Sequence, residues 1–352
     1  MLPSGDLLSV RQYFFKGAVG GAPSAYIQAG VHGTEVQGTA VCAQLLEQLA
    51  GFPREVIRGD LSIIANANPH GLNSKFGEHT IGPFDAGTGL NWNRAYLDLR
   101  EEARSAHPAE LKAQLRERLA EKSGEILARP SSMQRHAMTL QRLAQGADVV
   151  LDLHTSARGS RYVYGPGYAL EWMALLNAED FLLLSGRFSG SLDEAISCPF
   201  LAQEQFFPPE LRSHMPFGLT VELGGQEFVS AREALEDARG ILALLAARGC
   251  LDLPLPRMER SFHCAPEGQL RAVPAPCGGL FEYHLAPGAW VSKGESLGAM
   301  LRLDGPLPRW EPLFSPFSGR ILVQFPSAIV SEGIELCKIL CDPERRSISY
   351  TS

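Results

Sequence analysis

The stretch Ala25-Tyr-Ile-Gln-Ala-Gly-Val-His-Gly-Thr-Glu35 decides how this chain is read. A run rich in β-formers ends in glycine, and an imidazole and a carboxylate follow three residues apart. From Thr34 to Leu49 apolar residues recur at helical spacing, so His32 and Glu35 fall where a strand hands over to a helix. In an open α/β sheet, ligands bind in the crevice beyond the carboxyl ends of the strands. Two further runs share this shape. Asp148-Val-Val-Leu-Asp-Leu-His-Thr155 stops at His154, and Gly218-Leu-Thr-Val-Glu-Leu-Gly-Gly225 presents Glu222 ahead of two glycines. The β-then-α alternation predicts a mostly parallel sheet, whose strand ends converge on one edge.

Those side chains suit metal-assisted hydrolysis. Catalytic zinc takes three protein ligands and keeps a fourth position for water, whose pKa falls to roughly 7. His32, Glu35 and His154 offer two imidazoles and one carboxylate, a set that Co, Mn or Ni would also accept. A second carboxylate, free of metal, must move the proton from that water to the leaving nitrogen, and Glu222 is the candidate. Other histidines are poorer ligands: His70, His79, His107 and His214 lie in Pro/Gly-rich or polar stretches, His136 falls mid-helix, and His263 and His284 lie in the C-terminal segment. Leu61-Ser-Ile-Ile-Ala-Asn-Ala-Asn-Pro69 reads as another strand, and a glycine-rich loop leads from it to Asn91-Trp-Asn-Arg94. Arg holds a carboxylate through two parallel hydrogen bonds and Asn adds a donor, so Asn93 and Arg94 are candidates for anchoring a carboxylated substrate.

Taken in order, Tyr26-Ile-Gln-Ala-Gly-Val-His-Gly-Thr-Glu35, Asn68-Pro-His-Gly71, Asn91-Trp-Asn-Arg94, Asp152-Leu-His-Thr155 and Thr220-Val-Glu-Leu-Gly-Gly225 resemble the succinylglutamate desuccinylase/aspartoacylase family of the zinc carboxypeptidase-like superfamily. The resemblance runs from about residue 7 to the end of the chain. It implies one zinc per chain held by His32, Glu35 and His154, Glu222 as general base, and Asn93 with Arg94 gripping a carboxylate. The implied activity is a deacylase that cleaves the amide of an N-acylated amino acid or a similar small carboxylated substrate. A metallocarboxypeptidase acting on short peptides, or a non-catalytic binding protein on the same scaffold, are the alternatives.

One departure bears on the substrate. Members of the family usually carry an Arg about nine residues after the Asn of the Asn-Pro pair, where it helps to polarise the scissile carbonyl. Here that position is Gly77, and no Arg occurs between Arg58 and Arg94. Lys75, His70 and His79 are the stand-ins within the loop, with Lys75 the first candidate, and Arg158 or Arg161 could reach in from elsewhere. Asn91 also replaces the Asp often found before the Asn-Arg pair, and the loop from Gly77 to Asn91 is longer than usual.

Composition agrees with an enzyme of small molecules. The 352 residues predict a core domain plus a smaller one, and a net charge of −7 argues against nucleic acid or anionic membrane as partners. No stretch approaches the roughly 18 apolar residues of a membrane span. Met1-Leu-Pro-Ser-Gly-Asp6 lacks the features of a signal peptide, and seven scattered cysteines make no disulfide framework, so a cytoplasmic location is expected.

The catalytic domain is expected over residues 1–253, with a charged helical insertion at about 98–147. Leu8 to Lys16 reads as an early antiparallel strand. Pro108 suits the first turn of a helix reaching about Ala128, Ser131-Ser-Met-Gln134 offers a capping box for a second reaching Gln145, and Arg232 to Arg248 is a further helix. The charge run from Arg100 to Lys122 fits a solvated face, a contact within a homo-oligomer, or a lid. After a linker at Leu251-Asp-Leu-Pro-Leu-Pro256, residues 254–352 turn β-like, with two half-repeats: Pro276-Cys-Gly-Gly279 is echoed by Pro316-Phe-Ser-Gly319, and Val291-Ser-Lys-Gly294 by Val330-Ser-Glu-Gly333. This resembles the small all-β sandwich of lipoyl and biotinyl domains, but Met300-Leu-Arg-Leu-Asp-Gly-Pro306 holds no modifiable Lys. The segment is therefore expected to be structural and to narrow access to the metal.

Overall fold

A computed structural model describes residues 7–128, 131–255 and 257–350; the Met1–Asp6 segment and Pro256 of the expected linker lie outside the described residues. Nine strands form the main sheet in the order Tyr13–Phe15, Leu61–Ile64, Ala25–Ala29, Val149–Ser156, Phe217–Gly225, Arg161–Gly165, Asp180–Leu183, Met258–Pro266, Glu344–Tyr350. Both outermost pairings are antiparallel, and Arg161–Gly165 runs antiparallel to Phe217–Gly225; the remaining neighbours are parallel. The early strand expected over Leu8 to Lys16 is thus a short edge strand, paired to Leu61–Ile64.

The central strands are buried on both faces, which is why they read as near-continuous apolar runs. Ile27 and Leu151 pack toward the Gln37–Gly51 and Ala231–Ala247 helices, while their neighbours Tyr26 and Val150 face the opposite layer. That layer comprises the Pro108–Ile126, Ser132–Ala144 and Leu192–Leu201 helices. Both insertion helices form as expected, the second opened by the Ser131/Gln134 capping box. The Pro108–Ile126 helix buries Leu111, Leu115 and Leu119 and turns its charges to solvent. This single apolar stripe packs into the core of the sheet rather than over the strand ends.

Beyond the linker, two smaller antiparallel sheets form. One orders Leu270–Pro274, Glu335–Cys341, Gly319–Gln324 and Trp290–Val291; the other orders Arg309–Phe314, Ser296–Arg302, Gly279–Tyr283 and Ile329–Val330. The half-repeats place Trp290–Val291 and Ile329–Val330 at the ends of the two different sheets. The strands on either side of these sheets, Met258–Pro266 and Glu344–Tyr350, belong to the main sheet, so the β-rich unit is inserted between two neighbouring strands of the catalytic sheet. Arg158–Gly159, just past the His154 strand, pairs with Val323 and Gln324 and ties the units together a second time. All seven cysteines are free thiols, and among the described residues no helix is long and apolar enough to cross a membrane.

Candidate metal centre

Val149–Ser156 is parallel to both Ala25–Ala29 and Phe217–Gly225, so the ends of all three motif strands lie side by side. After Ala29 the backbone turns through Gly30 at φ 72°, a conformation that favours glycine. The loop that follows rests on the Asn68-Pro-His-Gly71 motif. Asn68 Nδ2 donates to Val31 O at 2.9 Å, and Asn68 Oδ1 accepts from Gly71 N at 2.9 Å. Gly33 is needed here because a Cβ on it would lie 2.1 Å from Gly71 O. The Asn-Pro-x-Gly motif thus shapes the His32 loop.

His32, Glu35 and His154 are all buried and offer ligand atoms within 4.8 Å of one another. His32 Nδ1 lies 2.8 Å from Glu35 Oε1, and His154 Nδ1 lies 2.7 Å from Glu35 Oε2. The far nitrogens face acceptors: His32 Nε2 is 3.0 Å from Asn91 Oδ1, and His154 Nε2 is 2.9 Å from Asp152 Oδ2. The Asn91 acceptor on His32 Nε2 fixes its N–H and leaves Nδ1 as the lone-pair nitrogen, the tautomer a metal ligand needs. Two imidazole nitrogens and a carboxylate this close suit a positive charge, whether protons on the rings or a cation. Burial works against charge on His154, yet Asp152 and Glu35 outweigh it and push its pKa well above the imidazole range. Burial likewise raises Glu35, but the two imidazoles prevail and hold it at about 2. The donor set and its supports fit a divalent cation.

Asp152 is itself held. Gln28 Nε2 donates to Asp152 Oδ1 at 2.9 Å, and Tyr26 OH donates to Gln28 Oε1 at 2.8 Å, a buried chain beneath the ligands. Glu222 is the register partner of His154 on the adjacent strand. Burial, then the nearby Glu35, raise its pKa to about 7.

His32, Glu35, His154 and Glu222 line a cavity of about 580 Å³ with Arg94, Tyr162, Tyr164 and Ser156. Arg94 donates to Asn93 O at 2.6 Å and stands at the cavity wall. Asn93, expected as a substrate donor, is engaged on both sides: Nδ2 is 3.2 Å from His154 Nε2, and Oδ1 accepts from Leu192 N at 3.3 Å. Lys75 is exposed on a two-residue strand and is not part of the cavity wall. Neither alternative cation reaches the cavity: Arg158 lies over the Tyr283 ring, and Arg161 pairs with Asp237 and Glu233 across a separate cleft. The β-rich unit supplies one instead. Lys338 joins Val323, Phe325 and Pro326 in the cavity wall. Local pattern reading missed Lys338 and the two tyrosines, although the alternation in Arg161-Tyr-Val-Tyr-Gly165 does mark a strand with both phenols on one face.

Imidazoles and a carboxylate at parallel strand ends, with a second carboxylate alongside, form a group that could hold a metal ion on an α/β sheet. Residues 21–248 match the profile of the succinylglutamate desuccinylase/aspartoacylase catalytic domain, and the chain belongs to that family. Two solved structures named for the family agree over the full length. The one from Shewanella amazonensis SB2B is 35% identical, covering 98% of this chain and 97% of that one with a TM-score of 0.88. The one from Shewanella frigidimarina NCIMB 400 is 33% identical, covering 98% and 95% with a TM-score of 0.88. The product-bound ectoine utilization protein EutE (DoeB) from Ruegeria pomeroyi, 19% identical with a TM-score of 0.66 over 93% and 87%, shares the fold. No curated protein matches the chain in sequence.

Proposed function

We propose that this protein is a zinc-dependent deacylase that hydrolyses the amide of an N-acylated amino acid or a similar small carboxylated substrate. The observation that carries this reading is the meeting of His32, Glu35 and His154 within 4.8 Å, with Glu222 beside His154 in register. Zinc bound by the three residues would polarise a carbonyl and lower the pKa of a water to roughly 7. Glu222 would accept a proton from the attacking water as its oxygen bonds to the carbonyl carbon, and return it to the nitrogen as the C–N bond breaks. Arg94 holds the substrate carboxylate through its guanidinium. Asn93 and Asp152 keep the His154 ring in place, and Lys338, now paired with Glu335 at 3.2 Å, is the further cation that could turn to a carbonyl or to a second anionic group.

The cavity volume of about 580 Å³ and the wall contributed by Val323, Phe325 and Pro326 favour a small substrate over an extended peptide. The test pairs elemental analysis of untagged protein with a screen of N-acetyl and N-succinyl amino acids against short peptides. About one zinc per chain and release of a free amino acid is the expected result. Preferential trimming of peptides would replace the deacylase by a carboxypeptidase, and absence of any bound transition metal after reconstitution would remove the mechanism.

A further inference from the structure

We infer that Ser156 and Tyr162 are positioning residues for the general base, acting in series; this rests on the reading of Glu222 above. Ser156 lies two residues beyond His154 on the same strand face, and its Oγ is 3.1 Å from Glu222 Oε2. Tyr162 OH is 2.7 Å from the same Oγ. In its ionised form, the one a base needs, Glu222 only accepts, so the single serine proton goes to Glu222 and the phenol proton to Ser156. The relay therefore has a fixed direction, from Tyr162 through Ser156 to Glu222. It occupies one carboxylate oxygen and leaves the other for water.

The backbone is arranged to bring this about. Tyr162 is the register partner of Glu222 across the antiparallel pair, while the register between Val149–Ser156 and Phe217–Gly225 shifts just past Glu222. Ser156 also needs space behind it. A Cβ on Gly159 would lie 2.7 Å from Ser156 Cβ and 3.2 Å from its Oγ. Gly159 is the residue that pairs with Val323 of the β-rich unit, so the pairing that docks that unit lies next to the relay. Tyr162 and Ser156 are both buried, and burial keeps the phenol of Tyr162 protonated, pushing its pKa well above the usual range.

The test is a set of steady-state measurements on zinc-loaded full-length protein, with N-acetyl and N-succinyl amino acids as probes and metal content measured for every variant. Ser156→Ala and Tyr162→Phe should each lower kcat about 10- to 100-fold, with KM and zinc stoichiometry unchanged, because the base loses its alignment. The double variant should be no worse than Ser156→Ala alone, since the phenol acts only through the serine. Gly159→Ala, outside the catalytic cavity, should lower kcat in the same way while the protein still melts cooperatively. Additive losses, or a rise in KM for Tyr162→Phe, would mean that the phenol touches substrate directly and would overturn the relay. Wild-type kcat in Ser156→Ala alongside a dead Glu222→Gln would overturn the inference alone. Full activity in Glu222→Gln would overturn both the inference and the reading of the site.

Discussion

Glu222 and His154 stand opposite each other in register on neighbouring parallel strands, so backbone pairing alone fixes a carboxylate beside an imidazole of the candidate metal centre. The proposed base is thus placed by the sheet and needs no metal to hold it there. Glu222→Gln keeps the shape of the side chain and all three metal ligands. It should retain about one zinc per chain while kcat falls about 10²- to 10⁴-fold, as checked by elemental analysis and turnover on the same sample.

Asp152 should set metal affinity rather than chemistry. It faces His154 Nε2 at 2.9 Å, and Gln28 holds its other oxygen. Asp152→Asn should weaken zinc binding about 10- to 100-fold in competition with a chromogenic chelator, and Gln28→Leu should do so to a lesser degree. His154→Ala should abolish stoichiometric binding.

Arg94 is expected to recognise charge. Hydrogen bonds to charged groups contribute about 1.5–3 kcal/mol, so Arg94→Ala should raise KM for an N-acyl amino acid by roughly 10- to 150-fold. The same variant should hardly alter the KM for a substrate whose carboxylate is capped as an amide. Equal effects on both would show that Arg94 does not bind the carboxylate.

A pH dependence of stability is expected from His136. Its ring packs edge-on against Trp92 with centroids 5.4 Å apart, and Nε2 is buried without a hydrogen-bond partner. Burial lowers its pKa to about 4, whereas the unfolded chain takes up this proton near pH 6.5. Between these values the unfolded state binds more protons, so stability rises with pH across that window and is lost on acidification, by up to about 3 kcal/mol for this group. Thermal melts of wild type and His136→Phe from pH 7 to pH 4 should diverge as the pH falls, with the variant less acid-sensitive.

The strand ends that carry His32, Glu35, His154 and Glu222 were legible because each signal is local: an apolar run, a glycine and a ligand-type side chain within a dozen residues. The helices at Pro108, Ser131 and Ala231 were legible for the same reason, having caps and periodicity of their own. Pairings between distant segments leave no such mark. Nothing near Arg161 says that its strand lies antiparallel beside Phe217–Gly225, and nothing near Lys338 says that it reaches the metal cavity. Lys75 looked suitable by its distance from Asn68 along the chain, but a short hairpin, Lys75–Phe76 with His79–Thr80, carries it outward.

Truncation after Leu255 should not yield a free catalytic domain. It removes Met258–Pro266, leaves Asp180–Leu183 as an uncovered sheet edge, and strips Val323, Phe325 and Lys338 from the cavity. Soluble recovery should fall sharply relative to full-length protein in parallel expression trials, and a monomeric, active fragment would refute this.

Because the β-rich unit is spliced between two adjacent strands of the main sheet, the molecule is finished in a particular order. A chain leaving the ribosome has made His32, Glu35, His154 and Glu222 before Val323, Lys338 or the Glu344–Tyr350 strand. Completion of the main sheet and of the cavity wall therefore waits on late segments of the chain.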